Sequence, residues 1–342
     1  MPSDFPYQVL IISNAPGAQS DGVEVISEQA VADEVAAVQS TLVAMGIAVH
    51  HRPLRNAADA AGLIAAQPNT IVFNLCEGLN GDSAFEMHLA ALLELSGTPF
   101  TGNNALTLGL SRNKVLAKQL FAAAGISTPR WVACRTVPDA IPDGLHFPLI
   151  VKPACEDASL GIFKDAVVRD LPALRRNVQT LLAKYPGSAA LVEEFIAGRE
   201  FNVALLPDGD TVTALPPSEL DFSAVPAGQD RITSYEAKWL EDHPLYQATP
   251  SRCPADITPQ LRQRLHDCAL AVFHCLDANA YGRVDFRVDA QELLYVLEFN
   301  PNPDITPGAG FSKALQAAGL SYRDFVSKAL REAQSRARSS TR

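Results

Sequence analysis

The sequence has no apolar run approaching the ~18 residues that a membrane-spanning helix requires. Its six cysteines (Cys76, Cys134, Cys155, Cys253, Cys268 and Cys275) include no CxxC pair. Neither a zinc site nor a disulfide framework is therefore expected. Positive charge is also scarce: 28 Lys and Arg stand against 38 Asp and Glu, a formal net charge of -10. That balance excludes a broad basic face for nucleic acid or an anionic membrane. A local basic pocket remains compatible with it. The opening MPSDFPYQVLIIS lacks the basic stretch of a secretory signal, and the expected compartment is the cytoplasm. The pattern GxxxxGK[ST] is missing too, which excludes a P-loop NTPase. The seven histidines form no ligand spacing, and His88 reads as a helix-surface residue.

What is present is the composition of a globular protein, 47% hydrophobic and 19% charged, in 342 residues. That length suits two or three cores. Strands at 7–13 (YQVLIIS), 47–50 and 70–75 (TIVFNL) alternate with helical patterns at 31–46 and 87–95. Such alternation predicts a doubly wound parallel α/β unit over residues 1–104. A second unit, 105–194, opens with a helix at 114–124 closed by Gly125. It continues with the strand LIVKPA, a small-residue loop ending at Gly161, a helix at 171–184 and the strand AALVEEFI. A third unit, 195–335, holds the strand REFNVALL, a long irregular stretch at 216–250, a helix at 259–276 and a terminal hairpin. Residues 336–342 read as a frayed basic tail.

The hairpin RVDFRV-DAQE-LLYVLEFN carries the strongest chemical signal. Residues two apart on a strand share a face. Arg283 and Asp285 therefore point together, as do Glu298 and Asn300, while Val284, Phe286, Val288, Leu297 and Phe299 point into the core. With residues 290–291 as a two-residue turn, Arg283 lies opposite Glu298. Two carboxylates and an amide oxygen are hard ligands suited to Mg²⁺, and an adjacent arginine suits a phosphoryl group or an oxyanion. A half-exposed hairpin with a surface salt bridge is the plainer alternative. The tail NPNPD weighs against it, because two prolines and two asparagines interrupt the strand where an ordinary one continues.

Lys152 ends an apolar strand, where an ammonium is costly unless it meets an anion. Lys114 starts a helix in SRNKVLAK, and a solvated helix residue is its plain alternative. Glu193 and Glu200 flank a strand connection and are candidates for hydrogen bonds to an adenine amine or ribose hydroxyls.

From about residue 92 onward these segments, in order, resemble the D-alanine–D-alanine ligases of the ATP-grasp superfamily. The matching stretches are LELSGTPFTGNNALTLGLSRNK, VKPACEDASLGI, LVEEFIAGREFNVALL, SYEAKW, GRVDFRVD and YVLEFNPNPDITPGAGF. The resemblance implies α/β and α+β structure: an ATP-grasp fold behind an N-terminal doubly wound domain. It implies an ATP-dependent ligase that forms an acyl phosphate and couples it to an amine. It further implies ATP phosphates on Lys114 and Lys152, and adenosine on Glu193, Phe195 and Glu200 with Leu297 under the base. Two Mg²⁺ ions, or Mn²⁺ in their place, would rest on Asp285, Glu298 and Asn300. Arg283 would stabilise the tetrahedral oxyanion, Lys238 would reach the γ-phosphate, and Ser159 would act from the phosphate loop. Partners would be small amino-acid or carboxylate substrates, with a homodimer as the family's common assembly.

Several positions depart from the family pattern. The phosphate loop reads Ala158-Ser159 in place of two serines. Trp239 follows the lid lysine in place of tyrosine. Ala309 and Gly310 replace a serine, and Asp304 replaces an oxyanion-hole glycine. The family's HGxxGEDG segment is replaced by NLCEGLNGD, in which Glu77 is a candidate for a substrate ammonium or, more plainly, a helix cap. The family's early glutamate falls on Glu24 or Glu28. These departures gather on amino-acid recognition and imply a donor or acceptor other than D-alanine. An authentic cell-wall D-alanine–D-alanine ligase and a non-catalytic nucleotide-binding relative are the alternatives.

Overall fold

The computed structural model describes residues 7–15, 22–64, 69–156, 161–162, 165–226, 228–240 and 243–339. The side chains of 22–29, 64, 237, 239 and 337–339 lie outside that description. The chain opens with β1 (Gln8–Asn14), α1 (Gly22–Ala44), β2 (Val49–Leu54), α2 (Ala57–Ile64), β3 (Thr70–Leu75) and α3 (Glu86–Leu95). The three strands form a parallel sheet in the order β2-β1-β3. Alternation along β1 explains the double winding. Val9 and Ile11 pack with Val35, Val38 and Leu42 of α1, whereas Leu10 and Ile12 pack with Leu63 of α2 and Leu89 and Leu93 of α3.

Next come α4 (Ala105–Arg112), α5 (Lys114–Ala123), β4 (Trp131–Cys134), β5 (Leu149–Pro153), β6 (Val167–Val168), α6 (Leu171–Lys184) and β7 (Ala190–Glu194). The predicted helix at 114–124 is thus preceded by a second one. Asn113 separates them and its side chain accepts from the Leu116 amide, capping α5. The four strands form an antiparallel sheet, β4-β7-β5-β6. Leu174, Val178 and Leu181 of α6 cover it.

The remainder comprises β8 (Arg199–Asp208), β9 (Thr211–Ala214), β10 (Ser218–Leu220), α7 (Tyr235–Trp239), α8 (Pro244–Gln247), β11 (Ser251–Arg252), α9 (Pro259–Cys275), β12 (Gly282–Val288), β13 (Leu294–Asn300), α10 (Gly310–Ala317) and α11 (Tyr322–Ser339). Its antiparallel sheet runs β11-β10-β8-β12-β13, with β9 on β8. The stretch expected to be irregular, 216–250, contains β10, α7 and α8, and is pinned to the segments on either side of β6. The Tyr235 amide donates to Ile162 O at 2.8 Å, and Arg169 pairs with Asp230.

The expected basic tail is corrected by α11, which runs through it to Ser339. Phe325, Val326, Ala329, Leu330 and Ala333 recur at helical spacing and bury against β1 and β3. Arg336 then donates to the carbonyls of Phe100 and Gly102 and to Asn279 Oδ1 at 2.7–2.9 Å. The α11 helix therefore closes one face of the first sheet. Among the described residues no helix is long and apolar enough to cross a membrane.

Candidate active site

The β12–β13 hairpin sets the geometry. Its register pairs Arg283 with Asn300 and Asp285 with Glu298. This corrects the expected pairing of Arg283 with Glu298, because the connection is not a two-residue turn. The Asp289 carboxylate accepts from the amides of Gln291 and Leu293, and Glu292 takes a left-handed φ of 59°. All four polar side chains still share one face. A bulge follows the Asp285–Glu298 pair, and Phe286 opposes Val296. Leu297 is the extra residue. It leaves the core alternation, half-buried, while Val296 and Phe299 stay in the core. Its expected place on the core face is thereby corrected.

Asp285 is held from three sides. Arg283 contacts both its oxygens at 2.7 and 2.8 Å, Asn300 donates at 3.0 Å and Asn202 at 2.6 Å. Asn202 escaped the sequence reading. The ladder sets it beside Asp285 from β8, and its position two residues beyond Glu200 on a strand was the available signal.

Facing the hairpin is a cluster of cations. Lys114, at the start of α5, lies 3.4 Å from Glu298 and donates to Glu156 O at 2.6 Å. Lys152 of β5 pairs with one oxygen of Glu193, and Lys118 with the other at 2.6 Å. Lys118 was not predicted. It follows Lys114 by one helical turn, and this i, i+4 spacing was its signal. Lys238 approaches Arg283, Glu298, Asp285 and Asp304 from α7, and burial pushes its pKa down. Burial disfavours a charged Glu298, but Lys114, Lys152, Lys238 and Arg283 outweigh it and hold the carboxyl at about 2. Five cations thus face Glu193, Asp285 and Glu298. Even with Asp304 counted, positive charge is in excess, on a protein whose net charge is -10. Such a cluster favours a polyanion.

The residues expected around adenosine are partly engaged with one another. Glu193 is 1% exposed and committed to the two lysines. Burial raises its pKa, but Lys118 and Lys152 bring it below the usual range. Glu200 pairs with Arg287 at 2.7 Å and accepts from Thr233 Oγ1 at 2.7 Å. The Arg287 guanidinium lies between the rings of Phe195, at 5.5 Å, and Phe222, at 5.3 Å.

The substrate-side positions separate. Asp304 lies near Arg283 and Lys238 and accepts from the Thr306 amide at 2.8 Å. Beside it is Glu34 of α1, a buried acid that accepts from the Ile305 amide at 2.8 Å. Burial, then Glu77, then Asp304 raise its pKa well above the ordinary value. Glu34 escaped notice because it reads as one more surface acid on a helix. Glu77 is exposed, and its amide donates to Asn14 Oδ1 at 2.7 Å. It does not cap the following turn, which Asp82 caps through the Ala84 amide. Gly310 begins α10 without a side-chain cap on Ala309. Ala158, Ser159 and the side chains of Trp239, Glu24 and Glu28 lie outside the described residues. His88 is exposed on α3, as expected.

Asp285, Glu298 and Asn300 fit a hard cation. They offer oxygen donors on adjacent strands, and Glu298 stays ionised far below neutral pH. Among the described residues no three His, Cys, Asp or Glu side chains gather as a metal shell. A bound ion would complete its coordination with Asn300, water and ligand oxygens.

Comparison with known proteins places this geometry. Residues 120–331 match the family described as D-ala D-ala ligase C-terminus. The chain is 35% identical over 261 residues to an uncharacterized protein of Sinorhizobium fredii, covering 76% of this chain and 74% of that one. It is 33% identical over 266 residues to the D-alanine–D-alanine ligase of Bordetella pertussis, covering 77% and 79%. The D-alanine–D-alanine ligase of Bacillus anthracis complexed with ATP superposes with a TM-score of 0.76. The match spans 98% of this chain and 99% of that one at 20% identity. At that identity the likeness speaks to fold alone.

Proposed function

We infer that this chain, which belongs to the D-alanine–D-alanine ligase family, acts on an amino-acid pair other than two D-alanines. Family membership itself makes it an ATP-dependent ligase that forms a carbon–nitrogen bond between small molecules. Its catalytic core has the ATP-grasp fold. The finer assignments are our reading of the site.

Lys114 and Lys152 hold the nucleotide phosphates, and Lys238 meets the terminal one. Phe195, Glu200 and Leu297 take the adenosine, with Glu193 acting through the lysines it binds. Asp285, Glu298 and Asn300 hold two Mg²⁺ ions, or Mn²⁺, which neutralise phosphate charge when bound. Arg283 stabilises the oxyanion that forms when the amine adds to the activated carbonyl. The excess of buried cations around Glu298 carries this reading. A carboxylate is a poor electrophile, and phosphorylation supplies its leaving group. The protein's part is alignment, charge neutralisation and exclusion of water, so no Ser or Cys nucleophile is required. Ser159 belongs to the phosphate loop in this scheme. We assign units 1–104, 105–194 and 195–335, a cytoplasmic setting and a homodimer on the same footing.

Asp304 and Glu34 support the altered specificity. Asp304 puts a carboxylate beside Arg283 and Lys238, where the family pattern has a glycine, and Glu34 lies next to Asp304. Glu77, Trp239 and Gly310 are further departures from the family pattern on the substrate side. The test is ADP release and product analysis against a panel of D- and L-amino acids and simple amines. Vigorous D-alanyl-D-alanine synthesis would overturn the specificity. Failure to bind or hydrolyse ATP with any pair would overturn the assignment of the cation cluster.

A further inference from the structure

We propose that Lys118 is a positioning residue for nucleotide binding: its ammonium shares the Glu193 carboxylate with Lys152, so that Lys152 is fixed in place without being neutralised. The proposal rests on the reading of the cation cluster as the phosphate site, and adds a residue to it.

Lys118 is 1% exposed. A lysine so deeply placed needs partners for its charge. It has two: Glu193 Oε2 at 2.6 Å and Thr128 Oγ1 at 2.5 Å. The remaining oxygen of Glu193 takes Lys152. Were Glu193 and Lys152 alone, they would form a neutral pair. The carboxylate would compete directly with any phosphate for Lys152. A second ammonium on the same carboxylate leaves one positive charge over. It also divides the pull of Glu193 between two sites, so Lys152 keeps charge to offer a ligand. Burial drives the Lys118 pKa down to about 8, with Glu193 opposing that fall. The charged form is held there by its partners and not by solvent.

Thr128 extends the connection. Its hydroxyl accepts from Lys118 and donates to Val296 O at 2.8 Å. The Val296 amide donates to Ser127 O at 2.8 Å. Val296 precedes the bulged Leu297 and lies two residues before Glu298. One buried ammonium therefore ties α5 to β7 and β5 on one side and to the hairpin on the other. The phosphate lysine and the acidic strand it faces are registered through it. A lysine that only filled the core would need neither the shared carboxylate nor the link to β13.

The experiment is calorimetric titration of Mg-ATP and of adenosine into the full chain. The wild type is compared with Lys118→Met, Lys118→Gln, and Lys118→Met combined with Glu193→Gln. Lys118→Met is expected to weaken Mg-ATP at least roughly tenfold while adenosine changes less than about twofold. The double variant, which frees Lys152 from the unshared carboxylate, is expected to recover Mg-ATP binding to within about threefold of wild type. Lys118→Gln keeps a donor for Thr128 without the charge and should match Lys118→Met. It carries the test if the methionine variant does not fold. Unchanged Mg-ATP affinity in either single variant, equal losses for ATP and adenosine, or no recovery in the double variant would overturn the proposal. A wild type that fails to bind Mg-ATP would instead overturn the functional reading beneath it.

Discussion

Asp285 and Glu298 stand opposite each other across the β12–β13 ladder, immediately before the bulge that frees Leu297. Two carboxylates in that relation repel, and cations separate their fates. Arg283 clamps Asp285 through both oxygens, while Lys114 approaches Glu298. The hairpin is held in its shape by charges that a phosphate or a metal ion would redistribute.

That arrangement predicts different outcomes for two replacements of Asp285. Asp285→Ala strands the Arg283 guanidinium and removes an acceptor from Asn202 and Asn300. It should cost about 3–5 kcal/mol in urea unfolding. Asp285→Asn keeps the shape and one acceptor oxygen, and should cost less than half as much. ATP turnover should nevertheless fall at least ~100-fold in both, since the charge needed at the phosphate site is gone. Turnover within tenfold of wild type in Asp285→Asn would remove this residue from the site.

Gly198 sits where no side chain fits. A Cβ there would lie 2.0 Å from the Val288 carbonyl oxygen, with φ at +156°. Its own carbonyl accepts from Arg287. Gly198→Ala should therefore cost about 2–4 kcal/mol through backbone displacement. Gly209→Ala, at φ +65° with open space around it, should cost only about 1 kcal/mol. Chemical denaturation of the two variants side by side checks the order, and equal losses would show that the carbonyl gives way freely.

Much of this architecture was legible in period and punctuation. The apolar run at 7–13 gave β1, and Gly125 marked the end of α5. The polar face of the hairpin followed from a period of two. Its register did not, because a bulge and the Asp289-bonded turn shift pairing without altering composition. Lys118, despite its spacing from Lys114, and Glu34 were passed over for another reason. A charged residue on an amphipathic helix reads as solvent-facing until a distant strand brings its partner, Glu193 in one case and the Ile305 amide in the other. The α11 periodicity was present, but its small, basic end was read as a tail, since nothing local announces the carbonyls of Phe100 and Gly102 that hold Arg336.

Glu34 predicts a pH dependence of stability. Its carboxyl is held well above the ordinary pKa by burial, by Glu77 and by Asp304. The folded state therefore binds its proton more tightly than the unfolded chain. Stability from this group declines as pH rises past the unfolded value of ~4.3, and the full penalty applies above the raised folded value. Glu34→Gln keeps an acceptor for the Ile305 amide and removes that penalty. It should be near-neutral at pH 4 and stabilising at pH 8, by at least about 1 kcal/mol or ~1–2 °C in Tm. Thermal unfolding of both proteins across that range decides it. A gain largest at low pH would reverse the assigned sign.

The Glu200–Arg287 pair separates the needs of the fold from those of the ligand. Both side chains are buried, 2.7 Å apart, and Arg287 also lies against Phe195 and Phe222. Glu200→Leu leaves an unpaired guanidinium and should cost about 3–5 kcal/mol, whereas Glu200→Leu with Arg287→Met removes both charges and should restore most of that loss. If Glu200 served the fold alone, the repaired double variant would bind nucleotide normally. If it takes the ribose, the double variant should be nearly as stable as wild type and still bind Mg-ATP at least roughly tenfold more weakly, because a stable pocket without the carboxylate has nothing to accept the ribose hydroxyls. Urea unfolding and nucleotide titration on the same double variant give the two numbers. Recovery of both together would confine Glu200 to a structural role.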